Sequence, residues 1–190
     1  MAALPSLDIP RILERIAAGD TPAFGEIVVR YQKPLFGFLG RLGLSQAQAE
    51  DIAQETFLRA WRSLATFEPG RAEFSTWLFT IARNAALNER ARASAHGEVP
   101  HGNETAHEPA CEEPLPPDAL QASRRREWLQ AALLRLQPTD RTVVALFYTR
   151  ELPLDAIARI EGCTTGAIKT RLHRARQQLQ QLLMENADEH

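Results

Sequence analysis

Residues 155–176, DAIARIEGCTTGAIKTRLHRAR, constrain the fold more than any other stretch of this chain. Asp155 to Ile160 reads as a short helix with Ile157 and Ile160 turned inward. Gly162 follows where that helix must stop, and glycine accepts left-handed backbone at no steric cost. Thr164 or Thr165 can then cap a longer helix by accepting a bond from its free N–H groups. In that second helix Ile168, Leu172, Ala175, Leu179 and Leu182 recur at spacings of four and three, which builds one buried stripe. Its other face holds Lys169, Thr170, His173, Arg174 and Gln177. Two helices joined by a tight turn, the second basic on its outer side, form a helix-turn-helix suited to the DNA major groove.

The charge pattern supports that reading. No carboxylate lies between Glu161 and Glu185, while Lys169, Arg171, Arg174 and Arg176 crowd into one short run. A helix that meets only water mixes signs, gaining i,i+4 pairs and avoiding self-repulsion. The formal net charge of −2 conceals this segregation. Residues 119–183 hold an excess of Lys and Arg, whereas residues 94–118 hold acids and neither Lys nor Arg. A near-neutral total therefore does not argue against nucleic-acid binding, and the basic segment is where a DNA field would centre.

Residues 94–118, SAHGEVPHGNETAHEPACEEPLPPD, contain only Val99 and Leu115 as large aliphatics. Such a segment cannot bury enough surface to offset its ordering entropy, so a flexible, acidic, Pro-rich linker is expected over 94–121. It divides a helical region at 1–93 from another at 122–186, and neither shows the alternation of strands. The expected fold class is all-α, two small helical domains on one linker. Residues 1–20 lack a basic start followed by an apolar run, so no secretory leader is expected. No stretch approaches the length of apolar sequence that a membrane span needs. Two cysteines, Cys111 and Cys163, make no disulfide framework, and the default is a reducing cytoplasm.

Periodicity predicts helices at Ile9–Ala18, Pro22–Leu42, from the cap Ser45 to about Leu64, and at Phe74–Ala93. Pro34 should kink the second or end its first half, because proline removes an internal bond. In the third, Ile52, Phe57, Ala60 and Trp61 should face inward, leaving Asp51, Gln54, Glu55, Leu58 and Arg59 outside. The C-terminal region predicts helices at Ser123–Leu136 and Pro138–Arg150 before the helix-turn-helix. Pro138 suits a first helical position, and Thr139 and Asp140 bring oxygen to the positive helix end.

Three segments together resemble a known family. Asp51-Ile52-Ala53-Gln54-Glu55-Thr56-Phe57-Leu58-Arg59-Ala60-Trp61 is similar to its D-x-x-Q-[ED]-x-F-[LI]-x-x-W segment. Phe74-Ser75-Thr76-Trp77-Leu78-Phe79-Thr80-Ile81-Ala82-Arg83-Asn84 is similar to F-x-T-W-L-x-x-I-A-x-N. Gly166-Ala167-Ile168-Lys169-Thr170-Arg171-Leu172-His173-Arg174-Ala175-Arg176 is similar to G-[TA]-[VI]-[KR]-[ST]-R-[LI]-x-R-[AG]-[RK]. In this order and spacing they resemble the bacterial sigma-70 family, extracytoplasmic-function (ECF) type, over roughly residues 12–183. Thr80, Asn88 and Pro153 depart from the residues most frequent at those positions.

The resemblance implies a promoter-specificity subunit of RNA polymerase rather than an enzyme, with no cofactor and no metal. It implies that residues 1–93 form region 2 and residues 122–186 region 4. Asp51, Gln54, Glu55 and Leu58 would dock on core polymerase at its β′ clamp, with the β flap a further contact. Arg71, Phe74, Trp77, Arg83, Asn84 and Asn88 would meet the minus-ten element, where a base leaves the stack for a pocket. Lys169, Thr170, Arg171, His173, Arg174 and Arg176 would meet the minus-thirty-five element, Arg171 and Arg176 as phosphate clamps or local salt-bridge partners. Lys169 and Arg174 project opposite Ile168, Leu172 and Ala175, so both should be replaceable without harm to the fold. A cognate anti-sigma factor is a further implied partner, with no direct membrane insertion.

The competing reading is a conventional helix-turn-helix regulator whose N-terminal region senses a ligand or dimerises. The aromatic loop and the polar helix face of that region favour the first reading. His96, His101, His107 and Cys111 fit no standard zinc spacing. No phosphate-binding glycine loop, H-E-x-x-H or nucleophile elbow is present.

Overall fold

The computed structural model describes residues 8–95, 117–150 and 152–187. His96, His101, His107 and Cys111 lie outside them. Every regular element among the described residues is helical, as the periodicity predicts. The first unit holds α1 (Ile9–Ala17), α2 (Phe24–Arg41), α3 (Gln46–Ser63) and α4 (Phe74–Ala95). The second holds α5 (Pro117–Leu134), α6 (Pro138–Arg150), α7 (Leu154–Glu161) and α8 (Thr165–Ala187). No helix among the described residues is long and apolar enough to cross a membrane.

Local chemistry sets several of these boundaries. Asp8 caps α1 by accepting from the Arg11 N–H at 3.2 Å. Ser45 and Gln48 form a reciprocal capping box at the start of α3, so two orphan donors are satisfied together. Gly162 ends α7 at φ 64°, in the left-handed region. Thr164 then accepts from the Ala167 N–H at 3.2 Å and opens α8, which settles the choice between the two threonines. α5 begins earlier than the sequence predicts, at Pro117, a residue whose fixed φ suits a first helical position.

Pro34 neither ends α2 nor divides it; the helix runs unbroken through it. An interior proline costs about 3 kcal/mol. Burial of Ile27, Leu35, Phe38 and Leu39 along the same helix offsets that, at roughly 1.5–3 kcal/mol per large side chain. Trp61 is a second departure. It is 38% exposed and meets Phe24 edge-on at 5.1 Å, instead of entering the core.

The two units share one hydrophobic core. Leu35, Phe38, Leu39, Leu42 and Phe79 of the first join Leu133, Leu136, Val143, Leu146, Ile157 and Ile168 of the second. Polar bonds reinforce the seam at the C-terminus of α2, whose last carbonyls have no partner within the helix. Gln130 donates to the Gly40 carbonyl at 2.7 Å, and Arg141 donates to the Leu42 carbonyl at 2.9 Å. Arg141 is only 6% exposed, and it also donates to the carbonyls of Leu133, Leu134 and Leu136. Burial, and then the nearby positive charge of Arg90, push its pKa down to about 10, so it stays a cation at neutral pH.

Gly43 lies in the same seam at φ 81°, and a methyl group there would strike Leu134 and Arg141. Gly43→Ala is therefore expected to lower unfolding free energy by about 1–2 kcal/mol. An unchanged denaturation midpoint would show that the seam yields at no cost.

Candidate nucleic-acid interface and apolar groove

α8 presents the predicted recognition face. Ile168, Leu172, Ala175 and Leu182 are buried, and Leu179 packs against them partly covered. Lys169, Thr170, His173 and Gln177 are exposed on the opposite side. Lys169 and His173 make no ion pair or hydrogen bond with the described residues, so their donors face water. The Thr170 hydroxyl donates back to the Gly166 carbonyl at 3.1 Å.

The three arginines of this helix are all engaged. Arg174 grips Asp140 with two bonds of 2.7 Å, and Asp140 is fully buried at the start of α6. Hydrogen bonds to Asp140, and its charge, hold the Arg174 guanidinium above its ordinary pKa. The expectation that Arg174 can be cut back without touching the fold therefore fails: alanine would leave a buried carboxylate alone. Arg176 donates to the Tyr148 hydroxyl at 2.7 Å and lies over the Phe147 and Tyr148 rings at 5.7 and 5.6 Å. Arg171 donates to Glu161 at 3.1 Å. Arg171 thus makes the local salt bridge that the sequence leaves open for it, whereas Arg176 is held by a neutral hydroxyl and two ring faces.

In the first unit, the loop after α3 and the start of α4 hold an aromatic cluster. Phe67 lies 5.3 Å from Phe74 and 5.2 Å from Trp77, and Tyr31 lies 5.6 Å from Phe74. Phe74 is 3% exposed, so it builds the cluster from beneath and offers no face to a base in this arrangement. Phe67 and Trp77 are half-buried at its rim, and Arg71 is well exposed beside them, 3.4 Å from Glu68. Asn84 and Asn88 are exposed along α4. Arg83 is turned toward the second unit, where its Nε donates to Glu161 at 3.0 Å.

A separate groove opens between α2 and α3, about 420 Å3 in volume. Phe24, Val28, Gln32 and Phe36 form one wall, and Ala53, Gln54, Phe57, Leu58 and Trp61 the other. Leu58 is 46% exposed at its edge, and Asp51 and Glu55 stand on the outer side of the same helix. A carboxylate-flanked apolar cleft suits a protein contact with a polar rim. Gln54 and Leu58 are therefore joined by an α2 wall that the sequence reading counts as core or passes over. Its signal was present: Phe24, Val28, Gln32 and Phe36 recur every fourth residue, a stripe separate from Ile27, Tyr31 and Leu35.

Comparison with known proteins agrees with this geometry. The model of Sigma-70 region 2 matches residues 27–96, and that of Sigma-70, region 4 matches residues 126–179. The chain is 32% identical to the ECF RNA polymerase sigma factor SigW of Bacillus subtilis, covering 92% of this chain and 96% of that protein. It is 35% identical to the RNA polymerase sigma factor CarQ of Myxococcus xanthus, covering 91% and 96%. Among solved structures it resembles the sigma factor RpoE of Bartonella quintana in complex with the anti-sigma factor NepR. There the TM-score is 0.67 at 28% identity, over 86% of this chain and 98% of that one. CnrH, in complex with the cytosolic domain of CnrY, shares the fold at a TM-score of 0.67 and 24% identity, over 92% and 96%. Both regions occur in order on an all-helical frame, and relatives match nearly the whole length: the chain belongs to the ECF sigma factors of the sigma-70 family.

Proposed function

We propose that this chain is a promoter-specificity subunit that joins core RNA polymerase in the cytoplasm and directs it to a restricted set of promoters. The observation that carries the reading is one frame bearing two surfaces: a basic recognition helix, and an acid-rimmed apolar groove on the other unit. In this reading α3 and the groove take the polymerase, through Asp51, Gln54, Glu55 and Leu58 for the β′ clamp. The rim of the aromatic cluster, with Arg71, Trp77, Asn84 and Asn88, faces the minus-ten element. Lys169, Thr170 and His173 read minus-thirty-five bases, since such donors and methyl groups match major-groove edges. Arg174, fixed by Asp140, keeps one terminal nitrogen for DNA. The polymerase supplies the catalysis, and this chain supplies binding energy and position. The complex of the Bartonella relative with an anti-sigma factor supports regulation by a partner of that kind.

Asp51 and Glu55 test the polymerase surface. Both are exposed, and among the described residues Glu55 pairs only with half-exposed Arg59 at 2.6 Å, a contact worth little to the fold. Asp51→Lys with Glu55→Lys is expected to weaken binding to core polymerase about tenfold or more while helical content stays unchanged. Wild-type affinity in the double variant would remove α3 from the polymerase contact.

A further inference from the structure

Asp140 stands in the first turn of α6 with its side chain fully buried. Its Oδ2 accepts from Arg174 Nε at 2.7 Å, and its Oδ1 accepts from Arg174 Nη2 at 2.7 Å. These two donors form the side edge of the guanidinium. Nη1 and the second hydrogen of Nη2 form its end edge, which no bond to a described residue uses. The Arg174 side chain is 59% exposed although its anchor is sealed. Thr170 is exposed one turn before it on the same face of α8.

Holding α8 to α6 does not require this arrangement. Ile168, Leu172 and Ala175 already bury α8 in the core, and a buried ion pair stabilises no better than apolar packing in its place. What the pair fixes is direction: two bonds to a buried acceptor leave the arginine little of the rotamer freedom it has on an open surface. We propose that Asp140 is a positioning residue for promoter recognition, holding Arg174 by its side edge so that the end edge meets O6 and N7 of one guanine in the minus-thirty-five element. The inference rests on the reading of α8 as the helix that enters the major groove. Guanine shows two adjacent acceptors there, and two parallel N–H groups match them. Backbone phosphate presents the same charge to every sequence, and a mobile cation serves it as well. A guanidinium aimed in advance loses less freedom when the base arrives, so the anchor sharpens discrimination without touching DNA.

Asp140→Asn tests the proposal, because it keeps the side-chain shape but turns one acceptor into a donor, and one bond to Arg174 is lost. Holoenzyme made from core polymerase and each full-length variant transcribes a promoter library randomised across the minus-thirty-five element. Asp140→Asn is expected to cut the preference for guanine at one base pair about fivefold and to leave the other pairs as they were. Arg174→Lys keeps a cation for Asp140 but has no paired edge, and it is expected to cut the same preference about tenfold. The double variant should lose no more than Arg174→Lys alone, because the anchor acts only through the guanidinium. Should the asparagine variant lose its helical content, Asp140→Ser takes its place, since serine suits a helix start and leaves room for water beside Arg174. A purely structural Asp140 would weaken transcription from all sequences alike and add its effect to that of Arg174→Lys, and that pattern overturns the proposal. So does an unchanged base preference in Arg174→Lys, the mark of a phosphate contact that an ammonium serves equally. The wild-type holoenzyme is scored first. If it selects no minus-thirty-five sequence, the sigma-factor reading falls and the proposal with it; a selective wild type with unchanged Asp140 variants overturns the anchor alone.

Discussion

Replacing Arg141 with methionine is expected to lower the unfolding free energy by about 3 kcal/mol, a large share of the stability of a chain this size. Methionine fills much the same volume but donates nothing. The carbonyls of Leu133, Leu134 and Leu136, and that of Leu42 across the seam, would lose their guanidinium donor in a place water does not reach. Relief from burying a charge recovers part of the loss, and Arg90 keeps a long 3.4 Å bond to Leu42. Urea titration followed by circular dichroism measures the net effect. A loss below about 1 kcal/mol would mean that the carbonyls find other donors and that Arg141 is not what ties α2 to α6.

Phe38→Ala is expected to cost still more, about 3–5 kcal/mol. Phe38 is fully buried and meets Phe79 edge-on at 5.3 Å, inside the core to which both units contribute. Because that core is shared, the damage should not stay in the unit that carries the substitution. Hydrogen exchange should show faster opening of α6 and α7 as well as of α2 and α4. Protection lost from α2 and α4 alone would show that the two units hold their cores independently.

How far the sequence could be read depended on the range of the interaction. The turn at Gly162, the Ser45 cap and the buried stripe of α8 are all set within a few residues, where spacing and propensity speak directly. The long α2 shows the limit of a local rule: proline removes one bond wherever it stands, but burial on both sides of Pro34 outweighs it. Trp61 looked like core because its spacing fits one, yet it forms the wall of a groove made with another helix. The partners of the key arginines were the least legible. Asp140 stands in the first turn of α6 and Glu161 at the end of α7, and nothing periodic links Glu161 to Arg83 or Arg141 to Leu42.

The most direct test of the central reading combines the purified chain with core RNA polymerase in run-off transcription on a fragmented genomic library. The account expects discrete transcripts that core polymerase alone does not make, starting downstream of a common pair of promoter elements. It also expects the free chain to bind the same fragments weakly. Transcription indistinguishable from that of core polymerase alone, together with tight sequence-specific binding by the free chain, would contradict it.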